Sequence, residues 1–325
     1  MKAIVIPRFG DPDVLELQER ERLVPGPEEV VVRVRAAALN RADLLQRRGR
    51  YPAPPGAPAD VPGLEFAGEV AAVGARVFGL APGARVMGIL GGGGHATEVA
   101  THERLCLEVP ERLSWEEAGA VPEAFLTAFD ALVLQCGLAA GETVYVPALA
   151  SGVGLAAAQI AAACGARVVG STRSAEKKRR LEEMGIGAVL DGTAPDLADQ
   201  VRAAAPRGAD VVLDLVGAAA FPLHMEILAP RGRIVFVGTM AGHKAELNLS
   251  VVMGKRLRLF GTVLRARPLE EKIAVTQAFR ARMLPLLAEG RLKPLVDSVF
   301  PFARAAEAHA LMERNANMGK IVLVP

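Results

Sequence analysis

Residues 143 to 161 read TVYVPALASGVGLAAAQIA: a β-branched apolar run, a turn, then a helix-forming run. A strand that turns into a helix in this way aims backbone N–H groups at whatever lies before the helix, and an anion such as a phosphate is favoured there. The common dinucleotide fingerprint G-x-G-x-x-G is absent, and the turn supplies only Gly152 and Gly154. Counting back from Gly154 in threes gives Ser151 and Ala148, so the pattern is A-x-x-S-x-x-G, with a turn one residue longer than the fingerprint's. A longer turn carries the chain outward and relaxes the need for glycine at each close approach. Ser151 suits the N-cap, which leaves the N–H groups of Gly152, Val153 and Gly154 pointing out of the helix start. Such a turn can bind a pyrophosphate without any charged side chain; the alternative is a capped helix that binds nothing.

The end of the next strand decides which dinucleotide fits. A 2′-hydroxyl calls for an acid there, but GSTRSAEKK offers Ser171, Arg173 and Lys177, with no acid before Glu176. A hydroxyl and two cations suit a 2′-phosphate and so predict NADPH over NADH. Lys177, Lys178 and Arg179 also have the simpler reading of a solvated helix face.

These residues need a scaffold. From 143 to 264 the runs TVYVPA, ARVVGST, AVLD, DVVLDLVG, RIVFVG and RLRLFGTVL alternate with VGLAAAQIAAAC, SAEKKRRLEEMG, DLADQVRAAA and FPLHMEILA, which have helical spacing. Nearly continuous apolar strands belong to a parallel sheet covered by helices on both faces, so a doubly wound six-stranded α/β fold is predicted. Residues 1 to about 110 instead carry short runs such as EVVVRVRAAAL and GEVAAVG, alternating at period two between Pro and Gly, as in an irregular β-rich domain. GGGG at 91 to 94 reads as a flexible loop before a strand. Ser114 followed by Glu117 forms a capping box, and Pro122 should break or restart the helix that follows. After 265 a long helical run precedes the strands DSVFPF and KIVLVP, which flank a helix at 303 to 314 and should return to the first domain.

Composition narrows the function classes. With 38 Lys+Arg against 36 Asp+Glu in 325 residues, the net charge of +2 gives no general pull toward nucleic acid or membrane. The three cysteines, Cys106, Cys136 and Cys164, form no C-x-x-C pair, which argues against a structural zinc or a disulfide framework. No apolar run reaches the roughly 20 residues of a membrane span and the N-terminal run is too short for a signal peptide, so a cytoplasmic location is expected.

The segments ALNRADLLQRRGRYPAPPGAPADVPGLEFAGEV, GGGGHATEV, VPEAFLTAF, ASGVGLAAAQIA, LDLVG, GTVLRAR and NMGKIVL, in this order along essentially the whole chain, resemble the zinc-independent quinone oxidoreductases of the medium-chain dehydrogenase/reductase superfamily. Within it the sequence looks most like the tumour-suppressor-inducible branch, relatives of zeta-crystallin. The resemblance implies a GroES-like catalytic domain, residues 1–124 and 265–325, split around a Rossmann domain at 125–264, with NADPH held in the cleft between them and a homodimer or homotetramer as the assembly. Zinc-dependent relatives place a cysteine where Asn40 stands and a histidine where Leu64 stands; neither residue here supplies those bonds, and no metal is assigned.

Without a metal to polarise a simple ketone, the acceptor must already be electrophilic, which points to a quinone or another conjugated carbonyl. Tyr51, in a loop that reaches the cleft in relatives, is the candidate group for the developing oxyanion, with packing in a proline-rich loop as the alternative. The resemblance also places Asn40 and Asp43 near the nicotinamide or substrate and Thr127 on the cofactor. It adds Val216, Gly238 and Met240 at later strand ends, with Leu264, Arg265 and Lys320 as further cofactor contacts. Leu149 departs from the small residues of relatives and must point away from the pyrophosphate. An enone or enoyl-thioester reductase using Tyr51, with Arg47, Arg48 and Arg50 as a basic rim, and a non-catalytic crystallin-like NADPH binder are the competing readings.

Overall fold

The period-two segments near the start form strands, as their β-branched content dictates. In the computed structural model, which describes residues 1–325, β1 (Lys2–Val5) and β2 (Glu16–Glu19) pair as an antiparallel ribbon. β3 (Glu29–Ala38), α1 (Arg41–Arg47), β4 (Glu65–Val73), β5 (Arg85–Ile89), β6 (Glu98–His102) and β7 (Cys106–Glu108) follow. Then come α2 (Trp115–Gly119) and α3 (Pro122–Phe129), which continues as a π turn over Asp130–Gln135. Ser114 and Glu117 form the expected reciprocal cap of α2, and Pro122 restarts the helix as α3 after the break that follows Gly119.

The chain then alternates strictly: β8 (Thr143–Val146), α4 (Gly152–Ala163), β9 (Arg167–Thr172), α5 (Ala175–Glu183), β10 (Ala188–Asp191), α6 (Leu197–Ala204), β11 (Ala209–Asp214), α7 (Phe221–Ile227), β12 (Leu228–Phe236), α8 (Leu249–Lys255) and β13 (Arg258–Gly261). The return segment holds α9 (Leu269–Arg282), α10 (Leu284–Ala288), β14 (Val296–Pro301), α11 (Ala305–Glu313) and β15 (Lys320–Val324).

Contacts divide the chain into two units, Met1–Leu126 with Leu264–Pro325, and Thr127–Val263. In the second unit six parallel strands run in the order β10-β9-β8-β11-β12-β13, the doubly wound pattern. Its core joins Tyr145, Val169, Val212 and Ile234 of the sheet to Val201, Phe221 and Met225 of the covering helices. In the first unit the sheet order is β14-β15-β3-β4-β5-β7, with β6 also on β3. Phe66 with Val30, Val32, Val34, Val70 and Val86 fills it. This is the GroES-like half, and β15 lies antiparallel to β3, as expected of the tail.

Two boundaries differ from the sequence pattern. β12 begins at Leu228, directly after α7, because the chain turns within the strand at Arg231 (φ 66°) and the segment LAPRGRIVF pairs with β11 on both sides of that turn. α8, capped by Asn248, was not anticipated: its exposed Leu249 and Met253 give it no apolar periodicity toward a core.

Candidate active site

In the second unit, the turn after β8 brings the predicted anion cradle together. Ser151 Oγ accepts from Gly154 N at 3.0 Å, so the cap is made, while the N–H groups of Gly152 and Val153 have no acceptor within the chain. A side chain at Gly154 would start 2.7 Å from the carbonyl oxygens of Ala148 and Leu149, so only glycine lets α4 press onto the turn. Leu149 is fully buried, and its side chain occupies the space where Gly170 of β9 lacks one, with Cδ2 2.5 Å from where that Cβ would stand. It therefore points away from the helix start, as the cradle requires. These features fit a dinucleotide diphosphate at the N–H groups of Gly152 and Val153.

Apart from Thr127, the remaining expected contacts of this unit lie at or just beyond the same ends of the parallel strands. Arg173 follows β9, is exposed and has no carboxylate partner, while Lys177 is half-buried in the first turn of α5. Ser171 is buried in β9, its Oγ 2.9 Å from the hydroxyl of buried Tyr145, so its hydroxyl serves the sheet rather than the surface. Val216 and Gly238 are half-buried after β11 and β12, Met240 is exposed, and Thr127 is buried in α3. The strand order reverses between β8 and β11, so Ser151 and Val216 flank the switch point, where α/β sheets bind ligands.

Asp214, not singled out from the sequence, sets the second flank. Its Oδ1 accepts from Val216 N at 2.7 Å and Gly217 N at 2.8 Å, and His224 Nδ1 lies 3.2 Å from Oδ2 without hydrogen-bond alignment. An acid at the end of an otherwise apolar strand was the available signal.

The first unit holds a second cluster. Asn40 opens α1, and its Nδ2 donates to Glu65 Oε1 at 2.8 Å and to Ala38 O at 3.3 Å. Its Oδ1 accepts from Lys320 Nζ at 2.6 Å. Lys320 also donates to Glu65 Oε1 at 2.7 Å and Leu39 O at 3.1 Å, which uses all three ammonium hydrogens. Lys320 is 5% exposed, so the expectation that it contacts the cofactor is corrected: it is an internal strut between β15, β4 and α1. Asp43, fully buried, accepts from Asn40 N at 2.7 Å and Gly63 N at 2.9 Å. Its expected place against substrate gives way to one holding α1 and the Gly63 turn, since both oxygens are committed to backbone.

A zinc ion does not fit this cluster. Leu64 is buried and apolar, Asn40 is bonded to an ammonium, and no group of three or more His, Cys, Asp or Glu side chains is arranged to hold a metal. His95, fully buried 4.0 Å from Asp43 Oδ2, has its proton affinity lowered, chiefly by burial.

Tyr51 is half-buried, and burial pushes its phenol above the ordinary range, against the pull of Arg265. Arg265 is 4% exposed, with Nε on Gly91 O at 2.8 Å, Nη1 on Tyr51 O at 3.2 Å and Nη2 on Gln46 Oε1. Three of the five guanidinium N–H donors are engaged within the unit and the side chain is buried, so the expected cofactor contact of Arg265 gives way to an internal one. Leu264 beside it is buried. Gly91, Gly92 and Gly93 lie under the proline-rich loop, where added Cβ atoms would come within 3.1–3.2 Å of Pro54, Ala57 and Pro58; the glycine tract gives a close approach rather than a free hinge.

Glu123, at the start of α3, was also missed. Its N–H donates to Glu65 Oε2 at 2.8 Å, and its half-buried carboxyl makes no hydrogen bond. Burial first and then Glu65 and Asp43 push its pKa up to about 8, while Lys320 and Arg265 pull it down; Tyr51 and Lys272 feel its charge in turn. A carboxyl raised from 4.5 to about 8 contributes stability that is full below pH 4.5 and is lost as pH rises through about 8. Glu123→Gln should therefore leave the melting temperature at pH 4 nearly unchanged and raise it at pH 9, by roughly 2–4 °C per kcal/mol recovered. Calorimetry showing the same loss between these two pH values in both proteins would refute the assignment.

Comparison with known proteins places the chain. Residues 26–111 match the alcohol dehydrogenase GroES-like domain and residues 152–288 the zinc-binding dehydrogenase family. The chain is 33% identical to the human synaptic vesicle membrane protein VAT-1 homolog, covering 100% of this chain and 86% of that protein. It is 34% identical to a quinone oxidoreductase of Pseudomonas aeruginosa, over 100% of this chain and 99% of that one. A solved structure described as an NAD-dependent alcohol dehydrogenase superposes with a TM-score of 0.89 at 35% identity, each chain covered in full. With Asn40 and Leu64 where ligands for zinc would stand, the chain belongs to the zinc-independent, zeta-crystallin-like quinone oxidoreductase branch of the medium-chain dehydrogenase/reductase superfamily.

Proposed function

We propose that this protein is an NADPH-dependent quinone oxidoreductase. The observation that carries the reading is Tyr51: a half-buried phenol held against the Arg265 guanidinium, in a unit where Asn40 and Leu64 offer no ligand for zinc. NADPH bound at the start of α4 supplies the hydride. The N–H groups of Gly152 and Val153 hold its diphosphate at the helix start that Ser151 caps, and Asp214 keeps the Val216 turn in shape. Tyr51 donates a hydrogen bond to the oxygen that gains charge as a conjugated carbonyl accepts the hydride. A simple ketone would need stronger polarisation than one phenol provides, so a quinone is favoured.

Arg173 and Lys177 support the preference for NADPH, since no acid lies at the end of β9 to take a ribose hydroxyl. Arg173→Glu with Lys177→Glu is expected to raise the KM for NADPH at least tenfold and leave that for NADH within twofold. Equal changes for both cofactors would remove the phosphate role. Turnover of NADPH with a naphthoquinone but not with crotonyl-coenzyme A supports the quinone reading, and the reverse supports an enoyl-thioester reductase. Tight NADPH binding with no electrophile consumed would leave only a binder. Light scattering of the purified protein tests the proposed homodimer or homotetramer. No helix is long and apolar enough to cross a membrane.

A further inference from the structure

The loop that carries Tyr51 is gripped at both ends from below. Arg265 takes the first end: its guanidinium lies over the Tyr51 ring, 4.9 Å from the centroid, and donates to the Tyr51 carbonyl at 3.2 Å. Gln46, 2% exposed on α1, takes the other: its Nε2 donates to Ala59 O at 3.0 Å. The two grips are joined, because Gln46 Oε1 accepts from Arg265 Nη2. Arg265 Nε reaches Gly91 O at 2.8 Å, tying in the glycine tract on which Pro54, Ala57 and Pro58 rest. A buried guanidinium with no carboxylate bonded to it is expensive to keep. Here it is retained where its flat face meets one ring and its fork spans two loops, a geometry lysine cannot reproduce.

We propose that Arg265 is a positioning residue that acts on the reaction through Tyr51, with Gln46 completing a bracket that fixes the 51–59 loop in the conformation that presents the phenol. This rests on the role given to Tyr51 above and makes neither Arg265 nor Gln46 a contact of cofactor or substrate. The bracket also bears on the phenol itself: burial raises its pKa, and the cation over the ring opposes that rise, which leaves the hydroxyl a better hydrogen-bond donor than it would be without Arg265.

The test combines kinetics with a probe of the ring. The protein has 2 Tyr, so labelling with 3-fluorotyrosine gives two fluorine resonances, the one from Tyr51 identified by its loss in Tyr51→Phe. In Arg265→Met the Tyr51 resonance should sharpen and move toward that of free fluorotyrosine while that of Tyr145 stays in place, and Gln46→Leu should do the same to a smaller extent. In unlabelled protein, Tyr51→Phe and Arg265→Met should each lower kcat about tenfold and the double variant no further than twofold beyond either. The NADPH dissociation constant should stay within twofold throughout.

Multiplying losses in the double variant, or weakened NADPH binding with an unmoved Tyr51 resonance, would overturn the proposal. Unchanged kcat in Tyr51→Phe would instead overturn the role of the phenol, and the fluorine spectra would still decide whether Arg265 anchors the loop. Arg265→Lys, which keeps the charge and is the milder change should Arg265→Met fold poorly, is expected to show the same spectral change at about half the displacement; a native spectrum there would also count against the bracket.

Discussion

Lys320→Met is expected to destabilise the first unit by about 3–5 kcal/mol, the usual cost of removing one partner from a buried ion pair. Lys320 and Glu65 are 7% and 0% exposed at their side chains and 2.7 Å apart. With the ammonium gone, Glu65 keeps only the hydrogen bonds from Asn40 Nδ2 and Glu123 N, and its charge stays out of water. Asn40 loses the donor to its Oδ1, so the start of α1 loosens too. Urea unfolding followed by circular dichroism measures the loss. Adding Glu65→Gln to Lys320→Met should recover part of it, because the orphaned charge is then removed. A single variant within 1 kcal/mol of the native chain would show that the pair does not hold the unit together.

Gly154→Ala should weaken NADPH binding at least tenfold, about 1.4 kcal/mol. The added methyl would begin 2.7 Å from the carbonyl oxygens of Ala148 and Leu149, both backbone atoms with no flexible end to swing aside. The turn must move outward, and Ser151 with the N–H groups of Gly152 and Val153 moves with it. Overpacking of this kind also costs about 1–3 kcal/mol of stability. Gly254→Ala is the control, since nothing lies within 4 Å of the new methyl on α8 and a small gain in stability is expected there. Titration of NADPH fluorescence separates the two variants, and equal affinities would mean that the turn after β8 does not hold the cofactor.

The doubly wound sheet was legible because local pattern carries it: each parallel strand is a short apolar run and each crossover a helical one. The turn at Ser151 was legible for the same reason, since a cap and its helix are neighbours in sequence. Lys320 and Arg265 read as cofactor contacts because what holds them inside the unit lies far away along the chain: partners that take all three Lys320 hydrogens, and the two loops and Gln46 that Arg265 ties together. Glu65 is 255 positions from Lys320, and Gln46 is 219 from Arg265. A sequence shows that a cation is present but not that its hydrogens are already spent. Glu123 escaped notice because its elevated pKa arises from burial and from Glu65, and only tertiary packing brings those together. Leu149 shows the opposite case, where the need to avoid the cradle fixed its direction, and Gly170 is the residue that makes room for it.

The pairing of β15 with β3 has a consequence during synthesis. All six strands of the second unit lie between residues 143 and 261, so its sheet can assemble as soon as that stretch has left the ribosome. The sheet of the first unit cannot close until residues 320–324 arrive to lie between β14 and β3, and until then the edge of β3 that β15 covers is open. The half that begins first is therefore the half whose sheet closes last, and a nascent chain halted before residue 320 would leave a completed nucleotide domain joined to an aggregation-prone partner.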